Sequence, residues 1–295
     1  MQIQKIGFMS PGDMGQAVAI QLLQKFTVCT ALDKRSERSR VMAKEAGLTD
    51  VGSIARMVAE CDLIMSVMNP GAGLDFAKEI AAALSAKRKA LTFVECNAIA
   101  PVTMHAITDL IVSAGGRCLD GGIIGPPPRG KAKTNLYVSG PGAGDLEQLH
   151  TEQLRVHVLS ERIGDASALK MCYGAINKGT QALILEALVA ARSLGVDAEL
   201  EKQLLDSRSD MYNWIIGTLP TMPPKAYRWV PEMLQISKTF ESAGMTPRIF
   251  QGAADMFEFI AVTPIGRETP ENRDKSRGGK DVVRLLAEDR SAAIK

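Results

Sequence analysis

The sequence predicts an α/β chain of two domains: a doubly wound, mainly parallel sheet of Rossmann type over residues 1–162, then an all-helical domain over 163–295. Three observations lead there. Short apolar runs of strand length alternate with helical patterns through the first half. The first such run leads into a glycine-spaced turn that opens a helix. Beyond about residue 160 only helical periodicity remains.

The elements follow in order. IQKIGFM (3–9) is a strand, and residues 13–25 follow as a helix with Met14, Ala17, Val18, Leu22 and Leu23 near one face. VCTAL (28–32) is the second strand and runs into the basic, serine-rich DKRSERSR (33–40). VMAKEAG is a helix ended by Gly47. DLIMSVM (62–68), ALTFVEC (90–96) and RCLDGGI (117–123) are further strands with helices between them. After GPGAG (140–144) and a helical stretch, Asp165 is placed to cap one long helical pattern that closes at Gly195. ELEKQLLDSR, PEMLQISKTFESAG and RIFQGAADMFEFIAV are helical, separated by the loops LPTMPPKAYRW and MTPR. The tail from Arg267 starts polar and reads as a mobile, solvated segment.

Composition narrows the function classes. A net charge of +2 gives no broad nucleic-acid footprint. The five cysteines are scattered and odd in number, with no C-x-x-C pair, which fits free thiols in a reducing compartment. His105, His150 and His157 lack the spacing of metal ligands, so no metal is expected, and His105 reads as a surface helix residue. The N-terminus does not read as a charged-then-apolar leader, and no apolar run is long enough to cross a membrane. The expectation is a cytoplasmic protein whose partner is a small molecule.

The turn after the first strand, Ser10-Pro11-Gly12-Asp13-Met14-Gly15, keeps the second and third glycines of G-x-G-x-x-G and has serine at the first. A pyrophosphate needs small residues there, because backbone must approach it closely, and the following helix offers unpaired N–H groups. The alternative is an ordinary strand-turn-helix. At the end of the second strand, Asp33 favours a free ribose 2′-hydroxyl, whereas Lys34, Arg35 and Ser36 favour a 2′-phosphate. The arginine–serine pair is the better match, so NADP is favoured over NAD. Met68, Asn69 and Pro70 end the DLIMSVM strand, where ligands bind in open α/β sheets, and read either as a cofactor-facing turn or as a structural one.

Lys170 is out of place in an apolar, alanine-rich helix. At 100° per residue, Tyr173, Gly174, Asn177 and Gln181 share its face. A snorkelling surface lysine is the alternative.

The chain resembles the β-hydroxyacid dehydrogenases, the group of 3-hydroxyisobutyrate and 6-phosphogluconate dehydrogenases. GFMSPGDMGQAVA is similar to that family's glycine-rich turn, ECNAIAP (95–101) to its D-x-S-T-x-S-P segment, and DGGIIGPPPRGKAKTNLYVSG (120–140) to its substrate segment. GDASALKMCYGAINK (164–178) is similar to its G-x-x-x-x-x-K-x-x-x-N helix, and YRWVPEMLQISKTFESAGMTP to a divergent C-terminal domain in one branch. The resemblance implies Lys170 as catalytic general acid and base, its pKa lowered by desolvation, with Tyr173 or Asn177 replacing the family's asparagine, which is Gly174 here. It implies Asn97 as an orienting group for substrate or nicotinamide. It implies Gly122, Ile123, Ile124, Gly125 and Pro126 as the substrate segment, and association as a homodimer. The run PPPR, with Arg129 and Lys131, is either a pocket reshaped for an anionic group or a stiff surface loop. Trp214 and Trp229 read as packing residues. The implied reaction is hydride transfer on a small hydroxy acid or related carbonyl. An imine reductase or reductive aminase, or a non-catalytic NADP(H)-binding module, are the other readings.

Overall fold

The computed structural model describes every residue except Met1, Ser10, Pro11, Lys34, Arg88, Lys89, Ile294 and Lys295, and gives backbone alone for Lys87 and residues 291–293. The expectations for Ser10, Pro11 and Lys34 therefore lie outside the described residues. The chain divides into two compact units, Met1–Cys172 and Tyr173–Lys295. The division falls later than the 162/163 boundary expected from sequence, because the first turns of the long helix are tied to the sheet.

In the first unit the order is β1 (Lys5–Met9), α1 (Asp13–Leu22), β2 (Thr27–Thr30), α2 (Glu37–Glu45), β3 (Thr49–Asp50), α3 (Ile54–Glu60), β4 (Leu63–Ser66), α4 (Gly73–Lys87), β5 (Thr92–Glu95), α5 (Pro101–Ser113), β6 (Arg117–Ile124), β7 (Thr134–Ser139), β8 (Leu154–Ser160) and the start of α6 (Asp165–Gly174). The eight strands form one sheet in the order β3-β2-β1-β4-β5-β6-β7-β8. All pairs are parallel except β6 with β7. This is the doubly wound sheet the sequence predicts, with its order reversing between β1 and β4, the switch point where such sheets bind ligands.

Both faces are covered, as a parallel sheet requires. Ile6, Phe8, Leu63, Met65 and Val94 pack with Val18 and Leu22 of α1 on one face. Met9, Cys29, Ile64 and Phe93 pack with Met57, Ile80, Met104 and Ile107 of α3, α4 and α5 on the other. Adjacent residues such as Ile64 and Met65 go to opposite faces because strand side chains alternate.

Three strands were not expected: β7, β8 and the two-residue β3. Residues 120–140, read as a substrate segment, form an antiparallel hairpin of β6 and β7, with Ile123 opposite Leu136 and Ile124 opposite Asn135. β8 then adds parallel to β7. The motif-like glycines and prolines hid the alternation of TNLYVS, whose residues are buried at Thr134, Leu136 and Val138.

The second unit is helical: α7 (Thr180–Ser193), α8 (Asp197–Ser207), α9 (Ser209–Thr218), α10 (Ala226–Ser242), α11 (Arg248–Val262) and α12 (Gly279–Ala293). A π-helical segment, Ala175–Gly179, precedes α7. Trp229 packs edge-on against Phe257 at 5.1 Å, and Phe240 against Phe250 at 4.6 Å. Part of the segment expected to be a mobile tail is α12, whose Val282 and Leu286 are fully buried. The polar residues before it masked this apolar stripe.

Candidate functional site

The site begins at the turn into α1. Gly12 is the N-cap in extended conformation, and no side chain caps the helix. A Cβ built on Gly12 would have no atom within 4 Å. Exposed backbone N–H groups at an uncapped, glycine-lined helix start suit a pyrophosphate, so the described residues fit a dinucleotide. Gly15 is buried and Met14 half-buried against the sheet core. Asp13 is exposed and accepts from Arg129.

At the end of β2, Asp33 is exposed, with its N–H donating to Gly52 O at 3.0 Å. Ser36 caps α2 by accepting from Ser39 N at 3.3 Å. Arg35 is half-buried and its N–H donates to Leu32 O at 3.1 Å. Asp33, Arg35 and Ser36 thus follow β2, the strand that pairs with β1.

The carboxyl ends of β4, β5 and β6 hold the chemistry. Asn97 is 3% exposed. Its Oδ1 accepts from Met68 N at 2.5 Å, its Nδ2 donates to Ser66 Oγ at 2.9 Å, and its N–H donates to Glu95 Oε1 at 2.8 Å. The amide expected to orient substrate instead ties β5 to β4, and Met68 is held by that tie. Asn69 is exposed and caps the short 3-10 turn Pro70–Ala72, accepting from Gly71 N at 3.1 Å.

Lys170 lies half-buried on α6, and its Nζ donates to Cys96 O at 3.0 Å. Two features bring it there. Asp120 of β6 accepts from Gly164 N (3.0 Å), Ser167 N (2.9 Å) and Ser139 Oγ (3.2 Å), and its other oxygen from Ser167 Oγ (2.6 Å). The carboxylate therefore anchors the start of α6 to the sheet. Gly122 then lets α6 pass close: a Cβ there would lie 2.8 Å from Ala166 O and 3.4 Å from Lys170 Cβ. Gly122 is thus a packing residue rather than a substrate contact. Ile123, also expected in the substrate segment, is 7% exposed within the core. Ile124 is half-buried, while Gly125 (φ 131°) and Pro126 are exposed at the turn.

Glu95 was missed by sequence reasoning. It is fully buried, and its Oε2 is without a hydrogen-bond partner among the described residues. Burial raises its carboxyl to about 7, against the pull of the Asn97 N–H, the Ser66 hydroxyl and the Lys170 ammonium. Burial likewise raises Asp120 and pushes Cys118 up to about 12.

The second unit contains Tyr173 and Asn177. Tyr173 is 49% exposed. Asn177 is half-buried and its Oδ1 accepts from Gln181 Nε2 at 3.2 Å. The polar face expected at 100° per residue is broken, since Gly174 and Gln181 are buried while Tyr173 and Ile176 are exposed. The wider π turn shifts the phase. Gly174 replaces the family's asparagine for a packing reason: a Cβ there would lie 3.1 Å from Ile236 Cδ1. Lys178 donates to both carboxylate oxygens of Glu232 and lies 5.4 Å from the Trp229 ring. A cleft of about 650 Å³ lined by Val189, Leu194, Met256, Phe259 and Arg290 contains none of the expected site residues. Among the described residues there is no acidic, histidine or cysteine cluster suited to a metal, and no helix is long and apolar enough to cross a membrane.

Residues 5–150 match the NAD binding domain of 6-phosphogluconate dehydrogenase. Residues 191–260 match a domain of unknown function, DUF1932. An uncharacterized 28.5 kDa protein of Methanothermus fervidus is 26% identical over 87% of this chain and 98% of its own. A solved conserved protein of unknown function, described as structurally similar to 3-hydroxyacid dehydrogenases, is 26% identical with a TM-score of 0.64, covering 87% of this chain and 96% of its own. The 3-hydroxyisobutyrate dehydrogenase of Mycobacterium tuberculosis, solved with L-serine, shares the fold at 18% identity and a TM-score of 0.69, covering 97% of this chain and 99% of its own. Fold and site thus define an oxidoreductase with a nicotinamide-dinucleotide domain. The chain belongs to the β-hydroxyacid dehydrogenase family, in a branch with a divergent C-terminal domain.

Proposed function

We propose that the protein is an NADP-preferring dehydrogenase or reductase that interconverts a small hydroxy acid and the corresponding carbonyl, with Lys170 as general acid and base. The observation that carries this reading is the lysine ammonium held at the carboxyl end of β5, on Cys96 O, by a helix that Asp120 fastens to the sheet. The backbone N–H groups of the turn from Gly12 to Gly15 would hold the pyrophosphate, with no part played by the Asp13 carboxylate, and Asp33, Arg35 and Ser36 would receive the ribose end. The bound nicotinamide supplies or accepts the hydride. Lys170 gives a proton to the substrate oxygen in reduction and takes it back in oxidation. Its bond to Cys96 O holds the amine at the end of β5. Ile124, Gly125 and Pro126 border the substrate, and a cytoplasmic homodimer is the working form.

The test is Lys170→Ala assayed with NADPH or NADP against panels of hydroxy acids, carbonyls and cyclic imines. Turnover is expected to fall by about 10²–10⁴-fold while the dinucleotide dissociation constant stays nearly unchanged. Undiminished turnover removes Lys170 from the mechanism. Wild-type turnover confined to cyclic imines makes the protein an imine reductase, and binding of NADPH without turnover on any panel makes it a binding module.

A further inference from the structure

We infer that Arg129, on the loop after β6, is a cofactor-binding residue that clamps the dinucleotide's pyrophosphate at the start of α1. This rests on the proposed use of that turn for a dinucleotide.

The loop lies along α1 and is built to hold its arginine there. Pro126, Pro127 and Pro128 restrict the backbone. Pro128 O accepts from Gln21 Nε2 at 3.3 Å, near the far end of the helix. Gly130 O accepts from Gln153 Nε2, which fixes the other side of Arg129. Between these anchors the guanidinium reaches the first turn of α1. Its Nη1 donates to Asp13 Oδ1 at 2.5 Å, and its Nη2 donates to Asp13 O and Gln16 Oε1, both at 2.9 Å. Gln16 is itself oriented by donating to Met42 O at 3.3 Å. A guanidinium has five N–H donors. These three contacts leave Nε and the second hydrogen of Nη1 without a partner among the described residues. The side chain is 44% exposed.

The electrostatics explain why an arginine stands there. Asp13 is the only acid in the first turn of α1. A carboxylate at a helix start is favourable alone, because it meets the positive end of the helix. A pyrophosphate competes for that same end and is repelled by the carboxylate. Arg129 neutralises Asp13 and carries two further donors to the place where phosphate oxygens would lie, in the planar arrangement that suits them. The surface ion pair contributes little to folding by itself, so its geometry is better accounted for by the ligand than by stability.

The experiment measures NADH and NADPH binding calorimetrically at fixed ionic strength, for wild type and for Arg129→Ala, Lys131→Ala and Asp13→Asn, with circular dichroism to confirm folding. Arg129→Ala is expected to weaken both dinucleotides by about 10–100-fold, because both carry the pyrophosphate. Lys131→Ala, an exposed cation on the same loop, is expected to stay within about twofold. Asp13→Asn is expected to tighten binding or leave it unchanged, since it removes a repelling charge. If Arg129 served only to fasten the loop, Asp13→Asn would break the same clasp and weaken binding as Arg129→Ala does. That result overturns the inference, as does unchanged binding in Arg129→Ala, equal loss in Lys131→Ala, or a loss confined to NADPH. A wild type that binds neither dinucleotide overturns the underlying function as well.

Discussion

Glu95 shows how far a single residue can be moved from its solution chemistry. Burial at the end of β5 raises its carboxyl from 4.5 to about 7, and Asp120 adds to the rise. Between these two values the folded chain holds a proton that the unfolded chain has released. Stability therefore declines as pH rises from about 4.5 to about 7, and levels off above. The full swing is about 3 kcal/mol. Glu95→Gln keeps the shape and abolishes the titration. Denaturant unfolding at pH 5 and pH 8 is expected to show the glutamine variant gaining relative to wild type by up to that amount at pH 8. Parallel curves for the two proteins would show that Glu95 is ionised in the fold at both pH values. The sequence did not reveal this residue, because a glutamate at a strand end carries no sign of full burial. Lys170 was legible for the opposite reason: a lone cation in an alanine-rich helix breaks the local pattern. Asn97 was legible as a position, but its amide partners Ser66 and Met68 were not, since they come from another part of the chain.

Elements were legible wherever one period dominated. β1, β4 and β5 centre on short apolar runs buried on both faces, and α11 repeats its apolar residues at helical spacing. β7 was not, because it lies within a segment read as a motif, and β8 was not, because LRVHVLS follows a stretch read as helical. The helical run after Asp165 was found, but its π segment was not, since one extra residue in a turn leaves no compositional trace. That segment lies between two glycines used for close approach within the second unit, Gly174 against Ile236 and Gly179 against Phe250. Restoring the family's asparagine therefore has a definite structural consequence. Gly174→Asn places a side chain 3.1 Å from Ile236 Cδ1 and 3.6 Å from Glu232 Oε1. Loss of about 1–3 kcal/mol is expected from overpacking, read as a lower urea midpoint with an unchanged slope. An unaltered midpoint would mean that α10 can yield at no cost, and that packing does not explain the glycine.

Across the whole molecule, the alternation of strands and helices was legible apart from β3, β7 and β8, and so was the change to an all-helical second unit. Association was suggested only by analogy, and the structure adds a surface that fits it. Along α7 and its C-cap, Thr180, Leu183, Ala187, Ala190 and Leu194 recur at alternating spacings of three and four, the spacing that keeps one helix face toward a partner helix, and Ile176 lies in the π segment just before. Ile176 is 74% exposed, Leu183 67% and Leu194 77%. Large apolar side chains left in water among small ones along one helix suit a contact surface. A second copy presenting the same stripe would cover it by two-fold pairing, the commonest symmetry of soluble oligomers. Wild type is expected to scatter light at twice the chain's mass at micromolar concentration. Leu183→Asp, at the centre of the stripe, requires burying two carboxylates near the symmetry axis and is expected to raise the dimer dissociation constant by at least about 100-fold. Lys202→Asp, on α8 outside the stripe, changes charge equally or more and is expected to leave the mass unchanged. A wild type that is monomeric, or a Leu183→Asp variant that remains dimeric, would show that this helix face is not the seam between subunits.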